Sequence, residues 1–363
     1  MFVADWPRWE QSMSTSAPAS EGIPLEGLGA PADTLPPWIK ITRRQMASVL
    51  VMAAVFWYLT WIPLWHTDIF GHLHWGQWIW QNKSIPNSPL FMPLSEGVSC
   101  IDYPWLAQLV FFGAYTALGY EGLSLLYALT LIGVLGLLFA ALFRATGRLW
   151  VAVPALAALY PILWPNLMAI RPQMFGALGF VMLLHLALLR SWRAANWLLV
   201  PLLFAAWANM HSSFVMGAAV LVCRVVGAAI DAWRAERRFW AIFADDDTRR
   251  WFLVSELALM ACLANPNGLD LMRDVLAFAG SPNLRDVNEW QPLNVRMLDG
   301  ISFAASIVAL VCLLRLSRRP VRGAEALMML VFGVAALPYD TCGLSNGGDC
   351  CCRMWSCRMP EKY

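Results

Sequence analysis

Charge is what this 363-residue chain has least of: Asp, Glu, Lys and Arg make up 14% of it, against about a quarter of an ordinary soluble domain. That is too few to coat a globule of this length, which excludes a soluble enzyme. Neither sign dominates, since 26 Lys and Arg stand against 24 Asp and Glu for a net charge of +2. A basic nucleic-acid footprint and an acidic disordered tail are therefore both excluded as the main theme, and no nucleic-acid partner is expected. The amino end lacks a basic start with an apolar core behind it, because Asp5 and Glu10 occupy that place, so no secretory signal is expected. No internal repeat is visible, which weakens an inverted-repeat transporter.

Apolar residues are abundant instead. Hydrophobic types reach 59%, with 20 Trp and 18 Phe, a composition suited to lipid, where aromatic rings favour the water boundary. The fold expected is all-α: a polytopic transmembrane helix bundle of about nine spans, each near the ~20 apolar residues that cross a bilayer or somewhat shorter. The runs are Met46–Leu64, Leu123–Phe143, Leu149–Trp164, Met174–Leu189, Trp197–Ala208, Phe214–Ile230, Trp251–Ala264, Ile301–Leu314 and Ala324–Leu337. Trp105–Leu118 is apolar as well, but carries Gln108 and Gly113 and is bounded by Gly119, and is expected to lie in the interface. Three regions result: residues 1–44 as a disordered cytoplasmic tail, 45–338 as the membrane domain, and 339–363 as an irregular Cys-rich tail. That last stretch holds Cys342, Cys350, Cys351, Cys352 and Cys357. Their spacing fits a tetrahedral zinc site poorly, and a frameshifted or truncated end is the further expectation there.

Lys and Arg set the orientation. Lys40, Arg43 and Arg44 precede the first span and place the amino terminus in the cytoplasm. With Trp105–Leu118 outside the count, Arg144 and Arg148, Arg190 and Arg193, the run from Arg234 to Arg250, and Arg315 to Arg322 all return to the cytoplasmic side. The location expected is the cell's inner (cytoplasmic) membrane, multi-pass, with the bilayer itself as a partner.

This orientation gathers the unusual polar residues on the outer face. They include His66, His72, His74, His211, Asp68, Glu96, Asp102, Asn166, Arg171, Asn209, Asn265, Asn267, Asp286 and Glu289. Polar groups beside a membrane need partners or a wet cavity, so their convergence suggests a site. In the first outer loop a helix would place Asp68, His72 and Gly76 on one face, at i, i+4 and i+8. A carboxylate beside an imidazole can orient it or hold it charged, and a free carboxylate can take a proton from a nucleophile; Asp68 can equally cap the helix. His66, His72 and His74 offer a metal option that their spacing leaves open, so a divalent metal stays possible and no other cofactor is expected. Arg171 precedes Pro172 at a helix boundary, where its fork suits either headgroups or a substrate phosphate. Asn209 and His211 interrupt an apolar stretch, Asn265-Pro266-Asn267-Gly268 forms a turn, and Glu289 stands beside Trp290 in the second long outer loop.

The order of these motifs resembles the C-class (GT-C) integral-membrane glycosyltransferases, in particular bacterial members similar to dolichyl-phosphate-mannose–protein mannosyltransferase-like proteins. The likeness spans roughly residues 45–337. It rests on Asp68-Ile69-Phe70-Gly71-His72-Leu73 with Gly76, Ile85-Pro86, Trp105-Leu106-Ala107-Gln108 and Arg171-Pro172-Gln173. It continues through Trp207-Ala208-Asn209-Met210-His211, Asn265-Pro266-Asn267-Gly268 and Glu289-Trp290. The resemblance implies transfer of a sugar from a polyprenyl-phosphate donor to a lipid, glycan or protein acceptor on the outer face. It implies Asp68 as base, with His72 beside it, and Arg171 on the donor phosphate. Asn209, His211, Glu289 and Trp290 are the further substrate-binding candidates. The rival expectations are a transporter or flippase of a lipid-linked precursor, which would use Arg224, Asn209 and His185 at mid-membrane depth, and an inactive truncated membrane protein.

Overall fold

The computed structural model describes residues 36, 40–63, 68–90, 101–167, 169–189, 192–279, 298–317 and 320–336, and all regular structure among them is helical. Most of both tails, with Cys100, Glu289 and Trp290, lies outside the described residues. By its contacts the chain divides into Met1–Leu50 and Val51–Tyr363. In the first unit the start of α1 (Arg43–Thr60) is closed by a reciprocal cap. The Gln45 N–H donates to Thr42 Oγ1 at 3.2 Å and the Thr42 N–H to Gln45 Oε1 at 2.8 Å, which satisfies two amide donors that a helix start leaves open.

Each of the nine apolar runs coincides, for most of its length, with a helix. After α2 (Asp68–Asn82), in the second unit, come α3 (Trp105–Thr146), α4 (Leu149–Leu167), α5 (Gln173–Leu184) and α6 (Asn196–Ala208). α7 (Phe214–Glu236), the short α8 (Ala241–Ala244), α9 (Asp246–Ala261), α10 (Leu269–Ala279), α11 (Leu298–Leu316) and α12 (Gly323–Ala335) complete the order. Two of them, α3 and α7, are both long and apolar enough to cross a membrane.

α3 is two helices in one run. Gly119 has φ 64° and ψ −146°, a combination accessible in practice to glycine alone. The chain folds back there, because a Cβ on Gly122 would collide with the carbonyl of Ala114. In a straight helix these residues would stand about 12 Å apart along the axis. The limb before the break is the segment expected to lie apart from the spans, and the limb after it is the expected second span.

Two apolar clusters form the interior. One joins α5, α6, α7 and α9 around Phe204, Trp207, Phe214 and Trp251; the other joins α1, α2, α3 and α5 around Leu59, Phe111, Tyr127 and Leu131. Close crossings depend on missing side chains: at Gly227 of α7 a Cβ would overlap the backbone of α12, whose first amide, Gly323 N–H, donates to Asp231 at 2.8 Å. Outward faces are apolar too, including Trp57, Leu198, Val222, Met260, Val308 and Leu330.

Candidate functional site

α2 is helical from Asp68 onward, so Asp68, His72 and Gly76 do share a face, and that face meets the first limb of α3. Gly76 makes the approach possible, since a Cβ there would run into the Gln108 carbonyl and the Phe112 side chain. One turn earlier the His72 ring packs 6.1 Å from the Phe111 ring. Asp68 stands in the first turn of α2, where the helix dipole favours a carboxylate.

The partner of Asp68 comes from the turn between α4 and α5. Arg171 Nη2 lies 2.7 Å from Asp68 Oδ2, with the arginine side chain 17% exposed and the aspartate 46%. The pair therefore has one wet partner and one largely dry one, and the dry guanidinium gains most from the contact. Ile170 and Met174 on either side of Arg171 are buried in the second cluster and fix the turn. Burial drives the His72 imidazole down to about 4, with Asp68 opposing the shift and Arg171 adding to it. His72 is thus neutral at pH 7.

His211 joins the same group from the turn between α6 and α7. It too is driven down to about 4, by burial first and by His72 second. Its tautomer follows from its contacts. Nδ1 accepts from the Ser213 N–H at 3.1 Å and from the Ser213 hydroxyl at 2.8 Å, while Ser213 Oγ accepts from Trp207 Nε1 at 3.0 Å. Nε2 therefore carries the proton and is a donor. Gly176 of α5 leaves room for this arrangement, because a Cβ there would collide with Ser213 Oγ. Trp207 is the wedge behind it, with Cβ positions of Gly179 and Gly217 only 2.9 and 2.7 Å from its ring atoms.

Asn209 has a different task. Its Oδ1 accepts from Trp105 Nε1 at 2.7 Å, its amide donates to Ala205 O and Ala264 O at 2.7 and 2.9 Å, and its own carbonyl accepts from Leu106 N–H at 3.1 Å. Each polar group of this side chain is engaged in fastening the α6–α7 turn to its neighbours, which makes Asn209 a positioning residue in this arrangement. Asn265 is likewise engaged in its own turn, donating to Cys262 O at 2.6 Å while its Oδ1 accepts from Asn267 N–H at 2.7 Å.

A second polar group, whose Asp102 counts in the sequence only among the outer-face polar residues, lies at the start of α3. Asp102 and Gln108 are 7% and 3% exposed. Gln108 Nε2 donates to Asp102 Oδ1 at 2.9 Å, while Asp102 Oδ2 and Gln108 Oε1 face no donor among the described residues. Burial pushes the Asp102 carboxyl up to about 7, against the opposing pull of Gln108. A protonated Asp102 could donate from Oδ2 and relieve one of these acceptors. The adjacent Tyr103 hydroxyl, raised by burial and by Asp274, hydrogen-bonds Ser212. The turn from Asn209 to Ser213 thus touches both polar groups. In the sequence Asp102 stands out only as one of many outer-face polar residues, two positions ahead of a Pro-initiated apolar helix.

Comparison with protein-family models, curated proteins and solved structures finds no match to this chain. Of the site residues expected from sequence, Asp68, His72, Arg171 and His211 come together from three separate stretches. Among the described residues no group of three His, Cys, Asp or Glu side chains is placed to hold a metal ion. His66 lies outside the described residues, and the His74 ring is bonded to Phe70 O at 2.8 Å.

Proposed function

We propose that the chain is a nine-span bacterial inner-membrane glycosyltransferase of the C class, its amino terminus cytoplasmic, moving a sugar from a polyprenyl phosphate to a lipid, glycan or protein acceptor on the outer face. The observation that carries the reading is the pairing of Asp68 with Arg171, beside two neutral histidines. The apolar outer faces of the helices support the bilayer setting. An acid and a phosphate-compatible cation in contact are the two groups this transfer needs. A donor phosphate arriving at Arg171 competes with Asp68 for the guanidinium and frees the carboxylate. Asp68 then takes the proton of the acceptor hydroxyl as its oxygen bonds to the anomeric carbon. The bond from that carbon to the phosphate oxygen breaks, and the charge left on the polyprenyl phosphate is held by Arg171. His72 and the Nε2–H of His211 are neutral hydrogen-bonding groups for sugar hydroxyls. Glu289 and Trp290 stay in the proposal as substrate contacts from the second long loop.

The test is transfer from a radiolabelled polyprenyl-phosphate sugar by the purified chain in proteoliposomes. Asp68→Asn is expected to lower turnover by about 10²–10⁴-fold, the usual contribution of a general base. Arg171→Gln is expected to weaken donor use as well as turnover. Full turnover in Asp68→Asn overturns the assignment. The transporter reading gains nothing from its mid-depth groups: Arg224 is bonded to Asp247 and Ala187 O, and His185 to Arg144.

A further inference from the structure

The α7–α9 corner carries a feature unrelated to the Asp68 group. A groove of about 550 Å³ opens between α7, α8 and α9, lined by Val225, Ala229, Trp233, Ile242 and Phe252 among others. Its polar lining residues are Thr248 and Arg249. Thr248 is buried and satisfied, its hydroxyl donating to Asp245 Oδ2 at 2.7 Å. Arg249 is exposed, and its guanidinium has no partner among the described residues.

The surroundings share this character. Phe239, Trp240 and Phe243 pack on one another with ring centroids 5.7–6.2 Å apart, yet are 62%, 77% and 58% exposed. Beside them Arg234, Arg237 and Arg238 are also exposed and without a side-chain partner among the described residues. The acids nearby are occupied: Asp245 caps α9, Asp246 pairs with Arg250 at 3.0 Å and Asp247 with Arg224. Among the described residues the remaining acids on this stretch are Glu236 and Asp231, the latter accepting from Gly323 N–H, against four free arginines. Arg237 also holds φ 55° at the α7 C-cap, a position that favours Gly or Asn. An apolar slot, an exposed aromatic cluster and free cations at its rim match an amphiphile with an anionic head.

We infer that this groove is a docking site for an anionic glycerophospholipid of the cytoplasmic leaflet. An acyl chain fills the slot between α7 and α9, the phosphate meets Arg249, and Trp240 lies at headgroup depth. The inference needs the bilayer setting and is independent of the chemistry assigned to Asp68.

The full chain in lipid nanodiscs tests it. Phosphatidylglycerol or phosphatidylcholine bearing a photoactivatable acyl chain is added at equal mole fraction, and adducts are mapped by peptide mass spectrometry. Labelling of residues 225–252 by phosphatidylglycerol should exceed that by phosphatidylcholine about fivefold, the preference one arginine near an anionic surface supplies. Arg249→Gln should bring the ratio near one and Arg249→Lys should keep it. Ala229→Trp, which fills the slot, should remove local labelling while α11 is labelled as before. Equal labelling by the two lipids in the wild type, or an unchanged ratio in Arg249→Gln, overturns the proposal. So does preferential labelling of this segment by a photoactivatable polyprenyl phosphate, which would assign the groove to that lipid. Loss of sugar transfer in Asp68→Asn with lipid labelling intact separates the two proposals.

Discussion

A single methyl group at Gly176 tests the His211 turn. A Cβ at this position would collide with Ser213 Oγ and stand 3.1 Å from His211 Nδ1. Ser213 must then move, and its hydroxyl is the acceptor for Trp207 Nε1. Trp207 is 2% exposed, so its N–H finds no water in exchange, a loss of about 1–3 kcal/mol. Pushing the turn away from α5 adds about 1–3 kcal/mol of overpacking. The better helix propensity of Ala returns about 1 kcal/mol. The net expectation for Gly176→Ala is a destabilisation of about 1–5 kcal/mol, centred near 3, read from equilibrium unfolding in mixed micelles by far-ultraviolet circular dichroism. Ser213→Ala removes both the obstacle and the acceptor, so in that background Gly176→Ala should cost about 1 kcal/mol, a coupling of about 2 kcal/mol. Gly71→Ala is the control: no atom lies within 4 Å of its Cβ, and it should be neutral or stabilising by up to about 1 kcal/mol. Additivity of the Gly176 and Ser213 substitutions to within about 0.5 kcal/mol would refute the contact.

His72 and His211 titrate at about 4 in the fold against 6.5 when unfolded. The unfolded chain therefore binds more protons between these values. Stability should be full above about pH 6.5 and fall toward pH 4, by up to about 3 kcal/mol for each histidine, a loss that His72→Gln and His211→Gln should remove in denaturation measured across that range. Asp102 acts in the opposite sense, with about 7 in the fold against 3.8 unfolded, so its contribution is lost as pH rises through this window. Asp102→Asn should accordingly raise stability at pH 8, because a neutral amide can donate to Gln108 Oε1 while still accepting from Gln108 Nε2; a lower midpoint than wild type at that pH would show the pairing is wrong. Gly119→Ala should destabilise by about 1–3 kcal/mol through its φ of 64°, and an unchanged unfolding midpoint would count against the break in α3.

The helices were legible because their signal is collective. A run such as Phe214–Ile230 needs no particular neighbour to be helical and apolar, and α7 contains it whole. The break at Gly119 was legible too, since this glycine bounds the Trp105–Leu118 run, with its Gln108 and Gly113, from the apolar run that begins at Leu123. Within the site, the spacing of Asp68, His72 and Gly76 was readable as one helical face. That Asp68 meets Arg171 was not, because local pattern contains nothing that joins the start of α2 to the α4–α5 turn. The burial of Asp102 was not legible for a related reason: a carboxylate in sequence looks the same whether wet or dry, and the packing of α3 against the α6–α7 turn decides which it is.

The motifs that carry the family resemblance divide once their contacts are known. Gly76 and Gln108 form a helix crossing, Asn209 a three-way fastening, Trp207 a wedge between Gly179 and Gly217, and Asn265 a turn. Packing alone accounts for those residue types, and they would be retained in any protein that needs this arrangement of helices. Packing does not account for Asp68 and Arg171. A half-exposed carboxylate on a largely buried guanidinium, beside two imidazoles kept neutral, is a weak way to fasten a turn whose flanking Ile170 and Met174 are already buried. The ion pair and its histidines therefore carry the functional argument, and the value of the surrounding motifs is that they hold those four side chains in one place.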